Sequence, residues 1–155
     1  MTKFFLALDC SSHSLRAAEY LAALAPALAA SEVVIFSVLT GVPYNEEELA
    51  RDNPPPDQVH GDIDHQHEAT AARDFLEGVR SRLLQAGFAA DRLHVQLSPL
   101  RRGIALDILD AAKENRCTTI VVGRRGLSSM RKLLLGSVSK HLVHHAKAMT
   151  VWVVA

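Results

Sequence analysis

The sequence predicts an α/β fold in one domain: a parallel β-sheet with helices on both faces. Short runs of β-favouring residues alternate with stretches of helical periodicity along all 155 residues, the pattern that builds such a sheet. The strand runs are almost continuously apolar, as strands covered on both faces must be. The length suits one ordinary domain, and no composition break or linker divides it.

Phe4 to Leu8 forms the first strand and stops at Asp9-Cys10-Ser11-Ser12, a cluster of turn and N-cap residue types. From Ser14 onward Ala18, Leu21, Leu24, Ala25 and Leu28 mark one helix face, with Pro26 kinking the helix or opening its last turn. Val33 to Leu39 is a buried strand. Gly41 to Asp64 holds Pro43, Pro54, Pro55, Pro56 and Gly61 among many acids, and the stretch 40–67 is expected to be a long surface loop. A helix then runs to about Gln85 with Ala72, Phe75, Leu76, Val79 and Leu83 inward, and Gly87 stops it. Leu93 to Leu97 alternates as a strand. Ile104, Ala105, Ile108, Leu109 and Ala112 face inward from the next helix. Thr118 to Val122, Ser137 to His145 and Thr150 to Val154 complete the chain as strand, helix and strand.

Seventeen basic and seventeen acidic side chains cancel, so no long-range positive field draws nucleic acid or anionic membrane to the protein. The apolar run at Phe4 to Leu8 is too short for a signal peptide, and no later stretch spans a bilayer. Cys10 and Cys117 make no disulfide framework. A cytoplasmic protein is expected.

The chemistry concentrates in Val122-Gly123-Arg124-Arg125-Gly126, followed after nine residues by Gly136-Ser137-Val138. Gly123 and Gly126 permit a sharp turn and a close approach of ligand to backbone. Gly136-Ser137 opens a helix, whose first amides and dipole attract anions. Arg124, Arg125, Arg131 and Lys132 flank the same loop. Taken singly, these are turn glycines, an N-cap and a solvated basic face. On one strand-loop-helix unit they point to phosphate. The Walker pattern is absent, since no Lys precedes Ser137, and the dinucleotide fingerprint is absent, since the first strand ends without glycine.

The spacing from Gly123 through Gly126 to Gly136-Ser137, with Asp9 closing the first strand, resembles the ATP-binding class of universal stress proteins over the whole chain. The resemblance implies an adenine nucleotide alpha hydrolase-like sheet of five parallel strands in the order three-two-one-four-five. Open sheets of this kind bind ligands where the strand order reverses, here between strands one and four. By resemblance, Ala7 and Val38 line an adenine slot that Val122 closes, and Asp9 bonds the ribose or helps hold a metal. Gly123, Gly126, Gly136, Ser137 and Val138 offer mainly backbone donors to ribose and phosphates, with Arg125 a further contact. ATP with Mg2+ is the implied ligand. Asp9 has the plainer alternative of a turn residue capping the first helix. Cys10 departs from the family, which usually has glycine there, and so do Thr118-Thr119 and Thr150.

Trp152 and the run Val151 to Val154 end the chain as an apolar edge strand, which a twofold partner would cover; a homodimer is expected, as the resemblance implies. His60, His65 and His67, and separately His141, His144 and His145, lack the spacing of a structural zinc site; the second trio, with Lys147, complements the negative end of the last helix. Cys10 has no catalytic base beside it in sequence, and a buried, inert thiol is expected. The expected function is an ATP-binding stress-response or regulatory protein with at most slow hydrolysis or autophosphorylation. The alternatives are a dimeric interaction scaffold that binds no nucleotide, and a fast ATPase, for which only Asp9 is a candidate.

Overall fold

The computed structural model describes residues 2–41, 62–124 and 135–155, with only the backbone described at 62–65. The order is β1 (Lys3–Ala7), α1 (Leu15–Ala23), α2 (Ala25–Leu28), β2 (Glu32–Leu39), α3 (Asp62–Ala86), a 3-10 turn (Ala90–Arg92), β3 (Leu93–Pro99), α4 (Ile104–Glu114), β4 (Thr119–Gly123), α5 (Ser137–His145) and β5 (Thr150–Val154). The five strands pair in the order β3-β2-β1-β4-β5, and every pairing is parallel.

Strand alternation divides the core in two. Phe4 and Leu6 of β1, with Leu8 just beyond it, face a layer with Ala17, Ala18 and Leu21 of α1 and Leu76, Val79 and Leu83 of α3. Phe5 and Ala7 face the opposite layer with Ile108, Leu109 and Ala112 of α4 and Leu142 of α5. Burial on both sides explains the unbroken apolar strands, because each residue has a helix layer to enter whichever way it points. Phe5, Phe36, Ile35 and Leu6 are completely buried, and truncating such a phenylalanine to Ala costs about 3–5 kcal/mol.

Most elements fall where the periodicity placed them. Pro26 resolves as the opening turn of a separate helix, where its missing amide costs nothing. The chain is already helical at Asp62, so the end of the expected loop 40–67 belongs to α3; residues 42–61 lie outside the described residues. Ile104, expected inward, is 38% exposed as the first residue of α4. The buried face of that helix instead includes Asp107, whose function is local and explained below. Gly87 and Gly103 have φ of 117° and 131°, conformations that require glycine at the end of α3 and the start of α4.

Candidate functional site

The carboxyl ends of β1 and β4 lie side by side at the point where the strand order reverses. Ala7 pairs with Phe36 on one side and Val122 on the other, and the chain then leaves β1 through Asp9 and β4 through Arg124. Ala7, Val38 and Val122 share one apolar cluster on the α4/α5 face, so the three expected slot residues come together. All three are buried, which makes them the floor of the crevice.

Asp9 stands half-buried just beyond β1. Its Oδ1 accepts hydrogen bonds from the Ser11 amide at 3.0 Å and the Ser11 hydroxyl at 2.6 Å. Ser11 Oγ in turn accepts from the Ser14 amide at 3.1 Å, and Ser14 Oγ donates to the Ser11 carbonyl at 2.8 Å. Asp9 therefore organises the turn into α1 through one oxygen, an Asx-type turn, without capping the helix itself. Cys10 lies next to it at φ 60°, half-buried, with Sγ 3.6 Å from Ser37 Oγ. A left-handed backbone at this position accounts for the family's preference for glycine. The expectation that Cys10 is buried is corrected accordingly: the turn holds it at the rim.

The β4 exit and the α5 opening converge. The Gly136 amide donates to the Arg124 carbonyl at 2.8 Å, and Ser139 Oγ donates toward the same carbonyl at 3.0 Å or toward the Gly136 carbonyl at 3.1 Å. The Arg124 amide is taken by the Val154 carbonyl at 2.6 Å. The Gly136 amide is thus spent within the fold, and the first-turn donors begin at Ser137. Ser137, Val138 and Ser139 are the helix positions with no carbonyl four residues back. Gly136, not Ser137, is the N-cap residue of α5, and no side chain caps the helix. Ser137 is exposed and Val138 packs against the core.

Gly123 is the buried last residue of β4 and does not take a positive φ; Gly136 has φ −66°. Neither backbone conformation requires glycine. Arg125 and Gly126, with Arg131 and Lys132, lie outside the described residues. Ser139 escaped the candidate set; its sequence signal was a hydroxyl three residues into a helix that opens with glycine, a pattern that sheet topology alone connects to Arg124.

The neighbouring loops at this edge hold carboxylates of their own. Buried Glu68 of α3 accepts from the Thr40 amide at 2.7 Å and the Gly41 amide at 3.0 Å. Asp107 accepts from the Arg101 and Arg102 amides at 2.8 and 3.1 Å. Burial opposes ionisation of Asp107, but the bonds from the amides of Arg101, Arg102 and Gly103, with the charge of Arg102, outweigh it and hold its carboxyl below the usual aspartate value. Residues 124–137, by contrast, contain no Asp or Glu and four Arg or Lys.

Among the described residues no group of three or more His, Cys, Asp or Glu converges as a metal site, and no described helix is long and apolar enough to cross a membrane. His141 and His145 stack with ring centroids 4.0 Å apart, and His145 Nδ1 lies 2.9 Å from the His141 carbonyl in the last turns of α5. His60 lies outside the described residues, the side chain of His65 likewise, and His67 is exposed on α3.

Residues 1–155 match the sequence profile described as the universal stress protein family. The chain is 30% identical over 122 residues to universal stress protein YxiE of Bacillus subtilis, covering 79% of this chain and 71% of that one. The structure is similar to that of universal stress protein UspA from Lactobacillus plantarum, with TM-score 0.74 and 22% identity over 99% of this chain and 97% of that one. It is also similar to the universal stress protein from Archaeoglobus fulgidus in complex with dAMP, with TM-score 0.63 and 19% identity over 100% and 98% of the two chains. With its strand order and its profile match in agreement, the chain belongs to the universal stress protein family.

Proposed function

We propose that this protein is an adenine-nucleotide-binding regulator that holds ATP with Mg2+ at the β1/β4 crevice and turns it over slowly at most. The observation that carries the reading is the bond from the Gly136 amide to the Arg124 carbonyl, which sets the opening turn of α5 beside the end of β4 at the sheet's switch point. The ends of open α/β sheets bind ligands there, and the dAMP complex of a fold relative supports an adenine nucleotide as the class.

The roles follow from the chemistry of each position. Ala7, Val38 and Val122 give the base an apolar floor. Asp9 faces the ribose hydroxyls. Gly123 and Gly126 let the sugar and phosphates approach the backbone, while the amides of Ser137 and Val138, together with Arg125, meet the phosphates of the chain. One carboxylate suits an Mg2+ held chiefly by phosphates, the usual manner for this ion. Oδ1 of Asp9 is already engaged by Ser11, and a hydroxyl-bound carboxylate is a poor general base. Slow turnover is the consequence.

A chain whose only cysteines are Cys10 and Cys117 has no disulfide framework, which supports a reducing, cytoplasmic setting. Among the described strands β5 pairs only with β4, and its second edge supports a homodimer through Val151 to Val154. Mass spectrometry of small molecules freed by heating freshly purified protein tests the nucleotide, with ATP or its products expected. Should no nucleotide be released, and should excess Mg-ATP, ADP and AMP leave the melting temperature unchanged, the reading is wrong, because a ligand at about 100 times its Kd stabilises a native state by about 2.7 kcal/mol.

A further inference from the structure

A cavity of about 140 Å3 opens between α1 and the ends of β4 and β5, lined by His13, Arg16, Arg124, Val154 and Ala155. Three of the five lining residues are basic, and they come from three different places in the chain: the turn after β1, the first turn of α1 and the β4 exit. A water occupies about 30 Å3, so the space admits a larger group.

Three other arginines pair with acids: Arg82 with Glu19 at 3.6 Å, Arg80 with Glu77 at 3.9 Å, and Arg102 with Asp110. Among the described residues no acid pairs with Arg16 or Arg124. The acids nearest in sequence are committed, Glu19 to Arg82 and Asp9 Oδ1 to Ser11. Arg124 is also fixed at its root, since its amide and carbonyl are both hydrogen-bonded. Two guanidinium groups lining one cavity suit a multiply charged anion, because each presents several donors in a planar fork.

We propose that this cavity is a phosphate subsite, distinct from the α5 opening, that receives the distal phosphates of a nucleoside di- or triphosphate. Arg124 directly follows Gly123, and His13 lies four residues beyond Asp9, so the cavity adjoins the crevice on its α1 side. The base-bearing end rests on the nucleotide reading above; the subsite itself rests on the cavity and its two arginines, with the His13 ring beside them. The shared chemistry is a polyphosphate, from a nucleotide or free in solution.

Calorimetric titration of the full chain, without a tag after Ala155, with ATP, AMP and inorganic tripolyphosphate separates these sources. Arg16→Gln, on an exposed helix position, is expected to weaken ATP about tenfold, the scale of one charge-assisted contact, while AMP changes less than about twofold. Arg16→Lys should recover part of the loss. Tripolyphosphate that binds the wild type and is lost in Arg16→Gln, with no nucleotide bound at all, supports the subsite and ends the nucleotide reading. The proposal is overturned if ATP and tripolyphosphate bind the variant as they bind the wild type, if AMP weakens as much as ATP, or if neither polyphosphate binds the wild type.

Discussion

The hydroxyl of Ser139 lies 3.0 Å from the carbonyl oxygen of Arg124, joining the second residue pair that ties α5 to the end of β4. Ser139 is buried, so its hydroxyl must find an acceptor within the fold. Ser139→Ala removes that donor while the Gly136 amide stays in place. The expected loss is about 1 kcal/mol in urea unfolding, with ATP affinity falling further than stability does, because the α5 opening loses its lateral anchor. Equal affinity in calorimetry would remove Ser139 from the site.

Glu68 holds the exit of β2 through two amides. Glu68→Gln keeps one acceptor oxygen and replaces the other by a donor facing an amide. A bond to a charged partner contributes about 1.5–3 kcal/mol, so a loss of about 2 kcal/mol is expected in the urea midpoint at unchanged slope. A variant as stable as the wild type would show the carboxylate to be dispensable.

Asp107 makes stability pH-dependent in a known direction. Its folded pKa lies below the ordinary value, so its contribution is complete above the unfolded aspartate pKa of about 3.9 and fades as pH falls through the lower folded value. Wild type minus Asp107→Asn, measured by urea unfolding, should therefore be largest near neutrality and shrink in acid below about pH 4. A difference that grows toward low pH contradicts the assignment.

The two thiols should react unequally. Burial, opposed by the Lys3 charge and aided to a lesser degree by Glu32, pushes the Cys117 thiol up to about 11, leaving almost no thiolate at pH 8. Cys10 is half-buried at the rim of the crevice. Iodoacetamide on native protein should label Cys10 alone, and bound ATP should slow that labelling; peptide mass spectrometry reads both.

Cys10 also carries backbone strain, at φ 60°. Cys10→Gly removes a left-handed penalty of about 1–2 kcal/mol and gives up the contact with Ser37, for a net gain of about 1 kcal/mol in unfolding measurements. A destabilised glycine variant would mean that the side chain contributes more than its strain costs.

The fold was legible because the runs of β1, β2, β4 and β5 are almost continuously apolar and Gly87 marks the stop of α3. Residues such as Ala72, Leu76, Val79 and Leu83 announce a buried face by spacing alone, and all four are buried. What stayed illegible was polar and long-range. Nothing in local sequence tells that Glu68 reaches Thr40, twenty-eight residues away, or that Asp107 belongs on a buried helix face. The grouping of His13, Arg16 and Arg124 depends on β1 and β4 being neighbours, a property of sheet order. Glycine spacing indicated the crevice; the use of the Gly136 amide by Arg124 required coordinates.

Arg124 has two main-chain attachments: its amide holds the outermost strand and its carbonyl holds the final helix. A joint fastened on both sides passes load from one to the other. Force applied at the crevice would therefore load the sheet margin and the last helix at once, and an alanine at 124 would leave that path intact, because both main-chain fastenings survive any substitution except proline.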